Sequence, residues 1–188
     1  SAWLEMSAEA KQAGMRANCM VSSAFGCPFE GEVPLQRVLD IVKQIMEGDP
    51  VELGFADSIG VGVPAQVTEM MGAVREIVAD PPIRFHFHNT RNTGLANAQA
   101  AVDAGVDSLD ASIGGIGGCP FAPAATGNIP TDDLLYMLDR QGVKTGVSLD
   151  KIVETSLWLG EQLGRGTPAM LPKAGIFPQV AEQYKEAS

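Results

Sequence analysis

Four times along this chain a short apolar run gives way to a loop rich in glycine or polar residues, and three of the four loops lead directly into a stretch with helical spacing. The runs are 15–25, 51–57, 83–88 and 106–113. Pro34 and Pro64 open the first two helices at the first turn, where a missing N–H costs little. Val38, Ile41, Val42 and Ile45 in the first, and Val67, Met70, Met71, Val74 and Ile77 in the second, fall on one face. Gly48-Asp49-Pro50 and Asp80-Pro81-Pro82 end them. The third helix, 95–104, is built of small residues and closes at Gly105. Buried strands alternating with amphipathic helices require a parallel α/β architecture, with the helices packed outside the strands. Outside this alternation, residues 1–14 read as a helix closing at Gly14. Thr131 reads as the N-cap of a helix ending near Gly142, and Ser148 as the cap of another with Ile152, Ser156, Leu159 and Leu163 on one stripe.

The chemically capable residues collect just beyond the C-terminal ends of these runs. Asp57 ends the second run, His86 and His88 end the third, and Cys119 and Asn128 follow the fourth in a glycine-rich segment. Both a (β/α)8 barrel and a doubly wound open sheet bind ligands at that end of their strands. No GxGxxG or P-loop spacing follows any run, so the nucleotide-binding folds lose ground. His86 and His88 are the only two histidines of the chain, and residues i and i+2 of a strand share a face. Two imidazoles so placed can grip one metal ion; the competing reading is a pair of surface histidines on an edge strand. Asp57 reads either as a proton-accepting carboxylate or as a turn cap, and Cys119 either as a reactive thiol or as a small buried apolar residue.

The composition sets the outer limits. With 188 residues, 45 % of them hydrophobic and 19 % charged, the chain is long and apolar enough for one domain with a core. A formal net charge of −10 argues against a nucleic-acid or anionic-membrane surface, and no apolar run approaches the roughly 20 residues that cross a bilayer. Cys19, Cys27 and Cys119 have no disulfide-framework spacing and fit thiols kept reduced, in the cytoplasm or in an organelle matrix.

Five segments together resemble the 3-hydroxy-3-methylglutaryl-CoA lyases, of the metal-dependent TIM-barrel lyases and acyltransferases. They are Phe25 to Gly31 (FGCPFEG), Ala56 to Gly62 (ADSIGVG), His86-Phe87-His88 with Gly94 to Asn97 (GLAN), Gly114 to Asn128 with its GGCPFAPAATGN core, and Thr131 to Leu138 (TDDLLYML). The resemblance covers roughly residues 8–160, and the cysteine loop is its most specific part. The synthases of the superfamily share the two histidines but lack that loop. The resemblance implies a (β/α)8 barrel of which this chain supplies about the last four βα units plus C-terminal helices, 1–164, followed by a C-terminal tail or helix, 165–188. It implies His86, His88 and Asn128 as ligands of Mg²⁺ or Mn²⁺, Asp57 and Cys119 as catalytic groups, and an acyl-CoA substrate. The implied reaction yields acetyl-CoA and acetoacetate, as in leucine degradation, in a homodimer.

Two departures qualify this. The family's HDTYGQA-like segment reads His88-Asn89-Thr90-Arg91-Asn92-Thr93-Gly94, and Asp132 stands where glutamate is more usual. Arg91, Asn92 and Asp132 are therefore the expected substrate-reading positions. The altered rim brings in citramalyl-CoA, a longer 3-hydroxyacyl-CoA, or a Claisen-type synthase reaction as alternatives. Four strands are also half of a barrel. A barrel of about 250 residues with added helices implies roughly 110 residues upstream of this sequence.

Overall fold

The computed structural model describes residues 2–118 and 127–178. They fall into two compact units. The first holds the described residues of Ser1–Asp110 and Gly117–Asn128, the second those of Ala111–Ile116 and Ile129–Ser188.

The first unit begins with α1 (Ala2–Gln12), which ends in a left-handed Gly14 and is fastened by Trp3 Nε1 donating to the Ile45 carbonyl. β1 (Cys19–Val21) follows, then a small antiparallel hairpin of β2 (Gly26–Cys27) and β3 (Gly31–Glu32). The sequence reads that hairpin only as a loop, because two residues per strand are too few for an alternating pattern to show. Next come α2 (Leu35–Met46), β4 (Leu53–Asp57), α3 (Pro64–Ile77), β5 (Ile83–Phe87), α4 (Gly94–Asp103) and β6 (Ser108–Asp110). Pro64 is the first residue of α3, and Pro34 stands one position earlier than expected, as the N-cap of α2.

β1, β4, β5 and β6 form one parallel sheet in that order. Each new strand adds beside its predecessor without reversal. A doubly wound sheet reverses its order at a switch point, whereas a (β/α)8 wall grows in one direction. The register of the sheet sorts its two faces. Phe55 lies beside Phe85 and Asp57 beside Phe87 on one face, while Ala56, His86 and Asp110 share the other. The first face is the core: Phe55, Phe85 and Phe87 are fully buried, the Phe85 and Phe87 rings stack at 5.3 Å, and Phe25 reaches both. The second face carries the polar residues.

The second unit contains a 3-10 turn (Ile113–Gly115), α5 (Thr131–Arg140), α6 (Leu149–Leu163) and α7 (Leu171–Ala174). Ser148 caps α6 by accepting from Lys151 N, as its sequence position suggests. Thr131 does not cap α5: Pro130 occupies that position and Thr131 is the first helical residue. α7 packs on both α5 and α6, and the Asp133 carboxylate accepts the N–H groups of Met170 and Leu171. No described helix is long and apolar enough to cross a membrane.

Candidate active site

The site is built where the polar face of the sheet meets the loops that follow β4 and β5. β5 alternates buried and half-buried residues, so the pleat sends Phe85 and Phe87 inward and His86 to the opposite side. His88 stands one residue beyond the strand, and its ring centroid lies 5.3 Å from that of His86. The two imidazoles are therefore neighbours on one side, and the edge-strand surface pair is set aside, because β5 is an interior strand and His88 is 4 % exposed.

The chain returns to this point after its glycine-rich segment. Asn89 N donates to the Gly127 carbonyl at 3.1 Å, and His88 forms an isolated antiparallel bridge with Asn128. This brings Asn128 next to the histidine pair although it is 40 residues away in sequence. Gly117 explains how close the approach is. Its φ is +101°, and a Cβ there would stand 2.8 Å from Asn128 Nδ2. Gly117→Ala is therefore expected to displace the Asn128 side chain and, because alanine is strained at that φ, to destabilise the segment as well. The check is a Mn²⁺ titration beside a thermal melt, with both the affinity and the melting temperature falling.

His88 Nδ1 is buried and has no hydrogen-bond partner among the described residues. Burial, together with the nearby His86, pushes the His88 pKa below its ordinary value. A neutral, buried imidazole with an unused nitrogen is the state a metal ligand requires. Two imidazoles with an asparagine at the facing bridge position offer donor types, N and O, that suit Mg²⁺ or Mn²⁺ when carboxylates or waters complete the shell. Among the described residues no group of three His, Cys, Asp or Glu side chains is placed to hold a metal ion.

Asp57 lies elsewhere. It stands beside Phe87 in the sheet, on the face opposite His86, and is fully buried. Its Oδ1 accepts Val61 N and its Oδ2 accepts Gly62 N, both at 2.9 Å. Of the two readings open for Asp57, these are the bonds of a turn cap. Burial raises its pKa, opposed by backbone N–H groups and by Arg91. Arg91 closes the same loop from outside, donating from Nη1 to the carbonyls of Ile59 and Gly60. Asn97 of α4 adds a third tie through Gly62 O. The loop after β4 is thus held from three elements.

The positions expected to read substrate are placed differently from one another. Arg91 is exposed and joins the β4 and β5 loops rather than standing free at a rim. Asn92 is exposed, adopts φ +57°, and pairs with Asn89, so it serves a tight turn. Asp132, in the second unit, is wholly buried. Its Oδ2 accepts Gly114 N at 2.7 Å, at the left-handed glycine of the 3-10 turn, while its Oδ1 is buried with no hydrogen-bond partner among the described residues. Cys119 lies outside the described residues.

One group on the histidine face escapes sequence reading. Arg84, two residues before His86, pairs with Glu52 and with Asp110, and Asp110 also meets His86. The available signal is a charged residue at i−2 inside an apolar strand, which demands a partner on the same face.

Known proteins share this arrangement of strands and helices. The HMGL-like family model matches residues 3–158. The (R)-citramalyl-CoA lyase of Chloroflexus aurantiacus is 44 % identical over 168 residues, 89 % of this chain and 53 % of its own length. The hydroxymethylglutaryl-CoA lyase of Bacillus subtilis is 37 % identical over 86 % of this chain and 54 % of its own. A solved HMG-CoA lyase of Acinetobacter baumannii, in complex with coenzyme A and 3-methylmalate, superposes with a TM-score of 0.89 at 36 % identity, covering 95 % of this chain and 58 % of that one. The chain thus spans about half the length of the curated relatives it matches. It belongs to the HMGL-like family.

Proposed function

We propose that the protein is a divalent-metal-dependent carbon–carbon lyase that cleaves a 3-hydroxy-3-methylglutaryl-CoA-like thioester to acetyl-CoA and a keto acid. The observation that carries this reading is the pairing of His86 and His88 with Asn128 across the bridge that follows β5. In this reading these three residues hold the cation. Once bound, a dication lowers the pKa of the substrate hydroxyl and stabilises negative charge on substrate oxygens.

Cleavage between C2 and C3 transfers the bonding pair to C2. The C3 hydroxyl loses its proton and becomes the ketone of the departing keto acid, while C2 gains a proton to give acetyl-CoA. The chain's own residues supply positioning and proton handling. Burial and the neighbouring His86 keep His88 neutral, so its ring retains a nitrogen lone pair to donate. Asp57, Arg91 and Asn97 together fix the β4 loop at the mouth of the same strands. Asp57 acts here as a positioning residue; a proton-relay role would require its carboxylate to leave Val61 N and Gly62 N. Cys119, carried by the resemblance of its loop, is assigned the proton that returns to C2.

A second reading differs in substrate alone. The 44 % identity to a citramalyl-CoA lyase supports an acyl group one carbon shorter, with its carboxylate directly on the carbinol carbon. Incubation of the purified protein with each thioester and Mn²⁺, followed by identification of the keto product, separates the two. Acetoacetate is expected from the first substrate and pyruvate from the second. Release of neither would refute the proposed lyase function.

A further inference from the structure

The polar face of the sheet carries a chain of charges that ends on one of the two histidines. Glu52, just before β4, takes Arg84 in a two-pronged grip, with Nε to Oε2 at 2.8 Å and Nη2 to Oε1 at 3.0 Å. The remaining arm of Arg84, Nη1, goes to Asp110 Oδ1. Asp110 Oδ2 then faces His86 Nδ1 at 3.3 Å. The strand pleat makes this chain possible. Arg84 and His86 share a face of β5, and Asp110 of β6 is the register partner of His86.

We propose that Asp110, braced by Arg84 and Glu52, is a positioning residue that keeps the His86 proton on Nδ1 and so presents Nε2 as the metal-binding atom. This rests on the reading of His86 as a ligand. The inference follows from the inventory of donors and acceptors. An arginine guanidinium is always protonated, so the Asp110 carboxylate beside it stays ionised. An ionised carboxylate only accepts, and therefore His86 Nδ1 must donate. A neutral imidazole carries a single N–H, which leaves the lone pair on Nε2. His88 has no such brace: its Nδ1 meets no partner among the described residues. The two histidines are thus unequal, one with its tautomer fixed in advance and one not. Partners of this kind orient a ligating histidine and raise its basicity.

The test begins with the metal-free wild-type protein, whose histidine ¹⁵N resonances report the tautomer without any variant. In its neutral form, His86 is expected to carry its proton on Nδ1. The Nε2–H form at His86 would overturn the proposal. Asp110→Asn replaces an obligate acceptor with a group that can also offer an N–H. It is expected to shift His86 toward the Nε2–H form and to weaken Mn²⁺ binding, followed by electron paramagnetic resonance, by about 10–100-fold. Asp107→Asn is the control: Asp107 serves Arg75 and Ile83 N and touches neither histidine, so tautomer and Mn²⁺ affinity should stay as in the wild type. Equal loss of Mn²⁺ affinity in both variants, or an unchanged tautomer in Asp110→Asn, would also overturn the proposal. Wild-type protein that shows the Nδ1–H form but binds no Mn²⁺ would sink the metal reading of the pair, a failure distinct from that of the tautomer assignment.

Discussion

His88→Ala is expected to abolish metal-dependent turnover while leaving the metal-free protein folded. The affinity for Mn²⁺ should fall by more than about 100-fold, beyond the 10–100-fold that loss of an outer partner costs. The effect on stability should be small because two terms oppose each other. The substitution opens a cavity at a site that is 4 % exposed. It also removes a buried nitrogen that has no partner among the described residues, and an unsatisfied buried polar group of that kind costs about 1–3 kcal/mol. A ligand residue therefore gives a distinctive signature, with activity gone and the melting temperature nearly kept. The measurement pairs calorimetry with a turnover assay on the same preparation. Retained turnover in the variant would remove His88 from the metal site.

Phe85→Ala should show the opposite signature. Phe85 is fully buried in the middle of β5, with Phe87 stacked on it at 5.3 Å, Phe55 at 5.5 Å and Phe25 at 6.2 Å. Truncating such a ring removes its transfer free energy and leaves a cavity that close packing cannot collapse, a loss of about 3–5 kcal/mol. Chemical denaturation reads this directly as a lower midpoint at unchanged slope. The position is informative because Phe85 and His86 are sequence neighbours on opposite faces of one strand. The pleat separates a residue that holds the fold from one assigned to the chemistry.

That separation also explains which features are legible in the amino-acid sequence. The alternation of runs and helices, the prolines that start α2 and α3, and the shared side of His86 and His88 are local consequences of strand and helix periods, and periods can be read directly. The direction in which the sheet grows is not local. A barrel wall and a doubly wound sheet have the same alternation and differ only in strand order, which here runs one way. The dual reading of Asp57 has the same origin: a carboxylate at a strand end is compatible with either chemistry or capping, and only the positions of Val61 N and Gly62 N show the cap. Asp132 sits at a helix start, where an acidic residue is usual, but its use there is to hold Gly114 N, a contact across 18 residues that no spacing rule reveals. The chain from Glu52 to His86 is hidden for a similar reason, since it joins three strands and depends on register.

The most direct measurement is acetyl-CoA release by the purified protein from 3-hydroxy-3-methylglutaryl-CoA and from (R)-citramalyl-CoA, after chelator treatment and again after Mn²⁺ is restored. Release from one of the two thioesters, absent after chelation and recovered with Mn²⁺, is expected. Release that is indifferent to the chelator would contradict the metal-dependent lyase assigned to His86, His88 and Asn128.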